Sequence, residues 1–107
     1  MSEKALPIKN IESKIYSFRG HRVMLDSDLA ELYGVSTKSL NQSARRNIER
    51  FPADFSFQLT DIEGEFLRSQ IVTSSLNYGG RRYLPYVFTE LGIAMLSSVL
   101  KSDQAIR

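Results

Sequence analysis

The sequence predicts a single compact α+β domain, because its length, its composition and the order of its hydrophobic patterns all favour that class. The chain has 107 residues, an ordinary length for one domain and too short for two. Apolar residues make up 42% of the chain and charged residues 24%, which is close to average globular usage. Alternating apolar segments typical of strands are separated by segments with helical periodicity, so we expect small β-hairpins around a helical core.

The first half of the chain predicts a hairpin followed by a short helix. Apolar residues within residues 15–25 flank a turn at Arg19-Gly20, which indicates a β-hairpin ending near Leu25. The helix begins at Asp26 and is stopped by Gly34 in the position of a C-cap. Its expected apolar face consists of Leu29, Leu32 and Tyr33.

A second, longer helix is predicted after Ser36, a favourable N-cap residue, and before Pro52. Its expected apolar stripe consists of Leu40, Ala44, Ile48 and Phe51. Two helices joined by a short turn containing Gly34 make residues 26–50 a helix-turn-helix-like core. An ordinary helical hairpin within an α+β domain would have the same pattern.

The second half predicts a strand, a helix, a second hairpin and a last helix. A capping box of Thr60 and Glu63 opens the first of these helices, and Pro85 indicates an edge strand in a hairpin over residues 71–88. The last helix opens at Thr89-Glu90, and Ser102-Asp103 resembles the cap of another helix. The residues expected to face the core are Phe55, Phe57 and Leu59 in the strand and Ile62, Phe66 and Leu67 in the helix.

The composition excludes several kinds of chemistry. The chain has no cysteine and one histidine, which rules out disulfides, thiolate nucleophiles and zinc sites rich in Cys or His. No nucleophile–base pair can be assembled around His21. The acids Asp26, Asp28 and Glu31 suit the dipole of a first helical turn better than a metal ion. We therefore expect no enzyme activity, no metal, no cofactor and no small-molecule substrate.

Residues 1–10 are expected to form a flexible segment ahead of a domain at residues 11–107. They lack the apolar region of a signal peptide. The longest apolar stretch, around residues 91–100, is far shorter than the run of about 20 residues that crosses a bilayer. The sequence therefore predicts a cytoplasmic protein that does not bind membranes.

The strongest functional signal is the polar face of the second predicted helix. The net charge of the chain is only +2, but residues 36–50 hold four Lys and Arg against Glu49 alone. Asn and Gln can pair with adenine, Arg with guanine and Lys with phosphate, so this face carries the side chains needed to read DNA. A solvated helix face is the alternative, although such a face usually carries about as many acids as bases. The candidate DNA contacts on this helix are Thr37, Lys38, Asn41, Gln42, Arg45 and Arg46.

Further arginines beside the two predicted hairpin turns are candidate phosphate contacts, since such contacts fix the register of a protein on DNA. They are Arg19 and Arg22 in the first hairpin and Arg81 and Arg82 at the tip of the second. An exposed polar turn explains the second tip equally well.

Three segments of the chain are similar to the ORF-six-N domain, a relative of the KilA-N and Bro-N domains of phages, large DNA viruses and prophages. They are RVMLDSDLAELYGV, LNQSARRNIERFPADFSFQLT and GGRRYLPYVFTELGIAMLSSVL, and the resemblance extends over residues 11–107. It implies a compact α+β DNA-binding domain at the amino end of phage-type regulators or antirepressors, with no catalytic residues. It also implies a carboxy-terminal continuation into a further helix.

We therefore expect the DNA-binding domain of a phage- or prophage-derived transcriptional regulator, whose second helix enters the major groove of double-stranded DNA. The alternative is a protein-interaction module that docks onto a repressor or another acidic partner. Helix-turn-helix proteins commonly place two such helices on half-sites one turn apart, so we expect a homodimer. The apolar residues of the further helix, together with residues of the preceding helix such as Met95 and Val99, are the expected pairing surface.

Overall fold

The computed structural model describes residues 12–70 and 84–106, with side chains as far as residue 102. Within these ranges the strands are β1 (Ile15–Phe18), β2 (His21–Leu25), β3 (Ser56–Gln58) and β4 (Tyr86–Thr89). The helices are α1 (Asp26–Tyr33), α2 (Thr37–Arg46), α3 (Asp61–Gln70) and α4 (Glu90–Ile106), and a 3₁₀ turn covers Ile48–Arg50. The chain is a single compact α+β domain, as the sequence predicts.

The four strands form one antiparallel sheet in the order β1-β2-β4-β3. β1 and β2 are the predicted first hairpin. Both residues of its turn, Arg19 (φ 55°) and Gly20 (φ 79°), have the left-handed backbone that a tight two-residue hairpin turn requires. β4 belongs to the predicted second hairpin. Residues 71–83 of that hairpin lie outside the described ranges, and so do residues 1–10, the segment expected to be flexible.

The expectation of an edge strand at Pro85 is wrong, because β4 lies inside the sheet between β2 and β3. Pro85 precedes the first residue of β4, where the sheet needs no N–H from it. Its carbonyl oxygen accepts a hydrogen bond from the backbone N–H of Leu59 at 3.0 Å. Proline therefore begins this strand without weakening the ladder.

Both faces of the sheet are covered, because apolar residues occupy successive positions in its central strands. Met24 and Phe88 face one hydrophobic cluster, which contains Leu29 of α1, Leu40 of α2 and Leu96 of α4. The neighbouring strand residues face the other way and belong to a second cluster with Leu67 of α3. These residues are Val23, Leu25 and Val87. The sheet is thus the middle of three layers.

The predicted pair of helices is present, with both of its predicted caps. Gly34 ends α1 in the left-handed conformation (φ 71°), and the Val35 N–H donates to the carbonyl of Ala30 at 3.0 Å. Ser36 caps α2, its side-chain oxygen accepting a hydrogen bond from the Ser39 N–H at 3.0 Å. The three-residue turn between the helices is therefore fixed at both ends.

The second helix is shorter than its apolar stripe predicts, and the inward position of Ile48 is wrong. α2 ends at Arg46, and Ile48 lies in the 3₁₀ turn with 60% of its surface exposed. The side chain of Asn47 donates to the carbonyl of Ser43 at 2.9 Å, a local bond that competes with helix continuation. Phe51 is buried as expected, but it reaches the core from outside the helix.

Three other expected core residues are also exposed: Leu32 of α1, and Ile62 and Phe66 of α3. α1 packs through Leu29 and Ala30. α3 packs through Gly64 and Leu67, one helical turn apart, and a Cβ on Gly64 would crowd the side chain of Leu84. Each of these helices therefore buries a narrower stripe than its apolar residues suggest.

The predicted capping box of α3 is present, with reciprocal bonds between Thr60 and Glu63.

α4 begins as predicted after Thr89, whose hydroxyl oxygen accepts the Gly92 N–H at 3.2 Å. It continues to Ile106, so the expectation of a new cap at Ser102-Asp103 is wrong. Val99 is buried and Met95 packs against the same core, so these two side chains belong to the core of the domain. No helix in the described part of the chain combines the length and the apolar character that crossing a bilayer demands.

Candidate nucleic-acid interface

The candidate site is the solvent-facing side of α2, here called the outer face, which consists of Lys38, Gln42, Arg45 and Arg46. All four side chains are exposed. Leu40 and Ser43 lie on the opposite side and are buried, and Leu40 has no exposed surface at all. Thr37, at the start of the helix, is half-buried. The structure therefore brings together four of the ten residues that the sequence nominates.

The outer face is strongly positive. α2 contains three Lys and Arg residues and no acid. Among the described residues, no carboxylate forms an ion pair with Lys38 or Arg45. Arg46 donates a long hydrogen bond of 3.4 Å to the hydroxyl of Ser43 on its own helix. Exposed cations on one face are the arrangement that attracts phosphate groups.

A buried carboxylate fixes α2 against the rest of the domain. Asp26 has no exposed surface, and its Oδ2 atom accepts hydrogen bonds from Asn41 Nδ2 at 2.9 Å and from the Tyr86 N–H at 3.2 Å. Its Oδ1 atom accepts the Ser27 N–H at 2.7 Å. One side chain thus joins α1, α2 and β4. A buried charge is tolerated when donors surround it in this way.

Sequence reasoning missed this role of Asp26, since it treats the residue as one of three acids that suit the dipole of a first helical turn. One signal could have revealed it: Asp26 follows the apolar run Val23–Leu25 with no polar residue between, so it starts inside the core. The hydrogen bond to Asp26 also defines the role of Asn41. Its side-chain amide is used within the domain and lies at the edge of the outer face, so we do not assign it to base reading.

Arg19 lies in the turn of the first hairpin and contacts the opposite end of the sheet. Its guanidinium forms two hydrogen bonds of 2.9 Å with the carboxylate of Glu63 and lies 4.1 Å from the ring centre of Phe57. These hydrogen bonds lower the pKa of Glu63 to about 2 and raise the pKa of Arg19. Arg19, a predicted phosphate contact, thus forms an intramolecular ion pair that joins the hairpin to α3.

The sequence profile of the ORF6N domain matches residues 13–99. The chain belongs to the ORF6N domain family. This is the family that the three segments resemble, and the matched residues include the whole helix pair and the complete sheet. Comparisons with curated proteins and with solved structures returned no match.

The remaining nominated residues of this ORF6N domain lie on another element or outside the described ranges. Arg22 is exposed on β2, on the strand face that also carries Met24. Arg81 and Arg82 lie outside the described residues.

Two of the three acids at α1 face a lysine. Lys14 Nζ lies 3.8 Å from a carboxylate oxygen of Asp28 and 3.7 Å from one of Glu31. Burial raises the pKa of Asp28. Within the described residues, no three His, Asp or Glu side chains are grouped so that they could hold a metal ion.

Proposed function

We propose that this ORF6N domain binds double-stranded DNA, with α2 in the major groove, as the DNA-binding domain of a phage- or prophage-type transcriptional regulator. The observation that carries the proposal is the outer face of α2, where Gln42 and Arg45 are exposed beside Lys38 and Arg46, with no acid in the helix. α2 has one buried face and one basic face and follows a tight turn. Such a helix is suited to entering the major groove, which is wide enough to admit an α-helix.

The side chains of the outer face have different roles in this proposal. Arg45 is suited to a bidentate contact with guanine and Gln42 to one with adenine. Lys38 lies before these two residues along α2 and Arg46 after them. Both would contact phosphates, which fixes the register of the helix on DNA. Leu40 and the bond between Asn41 and Asp26 hold the helix from behind, so the outer face is presented in one orientation.

Selection of bound sequences from random duplex DNA, followed by titration of the selected duplex, tests the proposal. Arg45→Ala, Arg46→Ala and Gln42→Ala should each weaken specific binding by about 1 to 3 kcal/mol while leaving the melting temperature unchanged. Removing a phosphate contact should also make the slope of log affinity against log salt concentration shallower by about one, because one fewer counterion is released on binding.

Arg68→Ala is the matched control, because Arg68 is an exposed arginine on α3, across the sheet from α2. This variant should bind the duplex like the parent. Unchanged binding in all three outer-face variants, with folding preserved, would remove α2 from the interface. A domain with no affinity for any duplex but with a protein ligand would instead support the alternative of a protein-interaction module.

A further inference from the structure

An apolar pocket opens beside the outer face, between the carboxy-terminal end of α2 and strands β3 and β4. It has a volume of about 80 Å³, and its lining includes Ala44, Arg45, Ile48, Phe51, Tyr86 and Phe88. Phe51 and Phe88 are almost fully buried, and their rings meet edge to face with centres 5.8 Å apart. Arg45 and Ile48 are exposed and form part of the rim. The pocket therefore has a fixed aromatic base and a rim with one cation.

The size of the pocket suits one aliphatic side chain. A cavity of about 150 Å³ holds a benzene molecule, so 80 Å³ leaves room for a smaller branched group. A thymine methyl, the apolar group that DNA offers in the major groove, would fill a small part of it. The positive charge of α2 favours an occupant whose aliphatic residue is flanked by carboxylates.

The first turns of α3 carry an exposed aliphatic residue flanked by carboxylates. Ile62 is 79% exposed, and Phe66, one turn later, is 54% exposed. Asp61 and Glu65 are exposed beside them, and neither carboxylate pairs with a cation in the described part of the chain. α3 packs on the face of the sheet opposite to α2, so one contact does not block the other within the described part of the chain.

We propose that the occupant of the pocket is a second copy of this chain: Ile62 of one molecule enters the pocket of the next, and Asp61 and Glu65 face Arg45. The contact joins two different surfaces, so it is head-to-tail, and a pair of molecules still has one open pocket and one open α3 surface. Arg45 also belongs to the outer face, so this association would compete with DNA. That consequence rests on the proposed function, whereas the association itself does not.

Sedimentation equilibrium of the protein without DNA tests the association. The weight-average mass should rise above the 12.2 kDa of one chain as the concentration increases toward about 1 mM. Ala44→Leu, which fills the pocket, and Ile62→Ser, which removes the side chain proposed to enter it, should each weaken the association at least tenfold. Leu91→Ser is the matched control, since Leu91 is an aliphatic residue on α4, 56% exposed and outside both surfaces, and it should associate like the parent.

Mixing the two variants gives the decisive measurement. The Ala44→Leu protein keeps its α3 surface and the Ile62→Ser protein keeps its pocket, so an equimolar mixture should form a one-to-one pair and nothing larger. If Ala44→Leu does not fold, Ile48→Asn at the exposed rim replaces it. A parent that stays monomeric, a mixture that stays monomeric, or equal weakening by Leu91→Ser would each overturn the proposal.

Discussion

At the scale of single residues, the buried carboxylate of Asp26 determines how the basic helix is held. Its hydrogen-bond donors include Ser27, Asn41 and Tyr86, and the donor on α2 is the side chain of Asn41. A buried acceptor that loses a donor pays the cost of its own desolvation. Asn41, which the sequence nominates for DNA contact, therefore helps to position α2 in the domain.

Asn41→Ala should destabilise the domain by about 1 to 3 kcal/mol, because a buried oxygen of Asp26 loses one of its donors. For a domain of this size that loss corresponds to a melting temperature about 4 to 8 °C lower per kcal/mol, measurable by circular dichroism. Gln42→Ala, the neighbouring exposed amide, should melt like the parent. An Asn41→Ala protein as stable as the parent would show that the bond contributes nothing to the fold.

Glu63 makes a contribution to stability that depends on pH. Its pKa in the folded protein is about 2, below its usual 4.5, because the carboxylate is hydrogen-bonded by Arg19. A lowered folded-state pKa means that the stabilisation is complete above the unfolded value and disappears as the pH falls through the folded value. Both side chains are partly exposed and screened by solvent, so the contribution is about 1 kcal/mol or less.

Glu63→Gln should therefore be less stable than the parent at pH 7, and this difference should shrink as the pH falls from about 4.5 to about 2. Urea unfolding at several pH values measures it. Glu65→Gln, which changes an exposed carboxylate on the same helix, is the control and should show a smaller difference at pH 7. A gap between parent and Glu63→Gln that is constant over this range would rule out the ion pair as its cause.

At the scale of elements, α2 is shorter than the apolar stripe from Leu40 to Phe51 predicts. Leu40 is fully buried in the helix, while Ile48 lies beyond the helix end and is mostly exposed. Periodicity identifies both as apolar positions on one side of a helix. α2 ends at Arg46, where the bond from the Asn47 side chain to the Ser43 carbonyl competes with continuation of the helix to Ile48.

Leu40→Ala should lower the free energy of unfolding by about 2 to 5 kcal/mol, because it leaves a cavity beside Leu29 and Phe88 in the core cluster. Ile48→Ala should change it by less than about 0.5 kcal/mol, since most of that side chain is already in water. Denaturant titration of both variants makes the comparison. Similar losses in the two proteins would mean that α2 continues through Ile48 after all.

At the scale of the whole molecule, the sheet couples two hydrophobic clusters. Neighbouring residues of β2 and β4 belong to opposite clusters, with Met24 and Phe88 on one side and Val23 and Val87 on the other. Neither cluster can lose its sheet residues without exposing the other. The domain should therefore unfold as one unit.

Thermal unfolding should be a single transition, with the same midpoint by circular dichroism and by tyrosine fluorescence. Tyr16 packs against one cluster and Tyr33 against the other, so the fluorescence reports on both sides of the sheet. Leu67→Ala, on the α3 side, and Leu40→Ala, on the α2 side, should each shift the whole curve rather than part of it. Two separated transitions would show that the clusters fold independently.

The sequence by itself determined the features that depend on neighbouring residues along the chain. The turn at Arg19-Gly20, the Gly34 and Ser36 caps, the capping box of α3 and the basic side of α2 were all predictable, because each follows from local backbone preference or helical spacing. The family was predictable as well, since its matching segments are continuous in the chain.

Only the tertiary structure decided which apolar residues are covered and which polar residues have internal partners. Ile48, Ile62 and Phe66 have core-like spacing but are largely exposed, and β4 lies inside the sheet despite Pro85. Arg19 meets Glu63 and Asp26 meets Asn41 across 44 and 15 residues of chain. Periodicity shows which side of an element can be buried, whereas contacts between distant segments determine which side is buried, and so which residues remain free for a ligand.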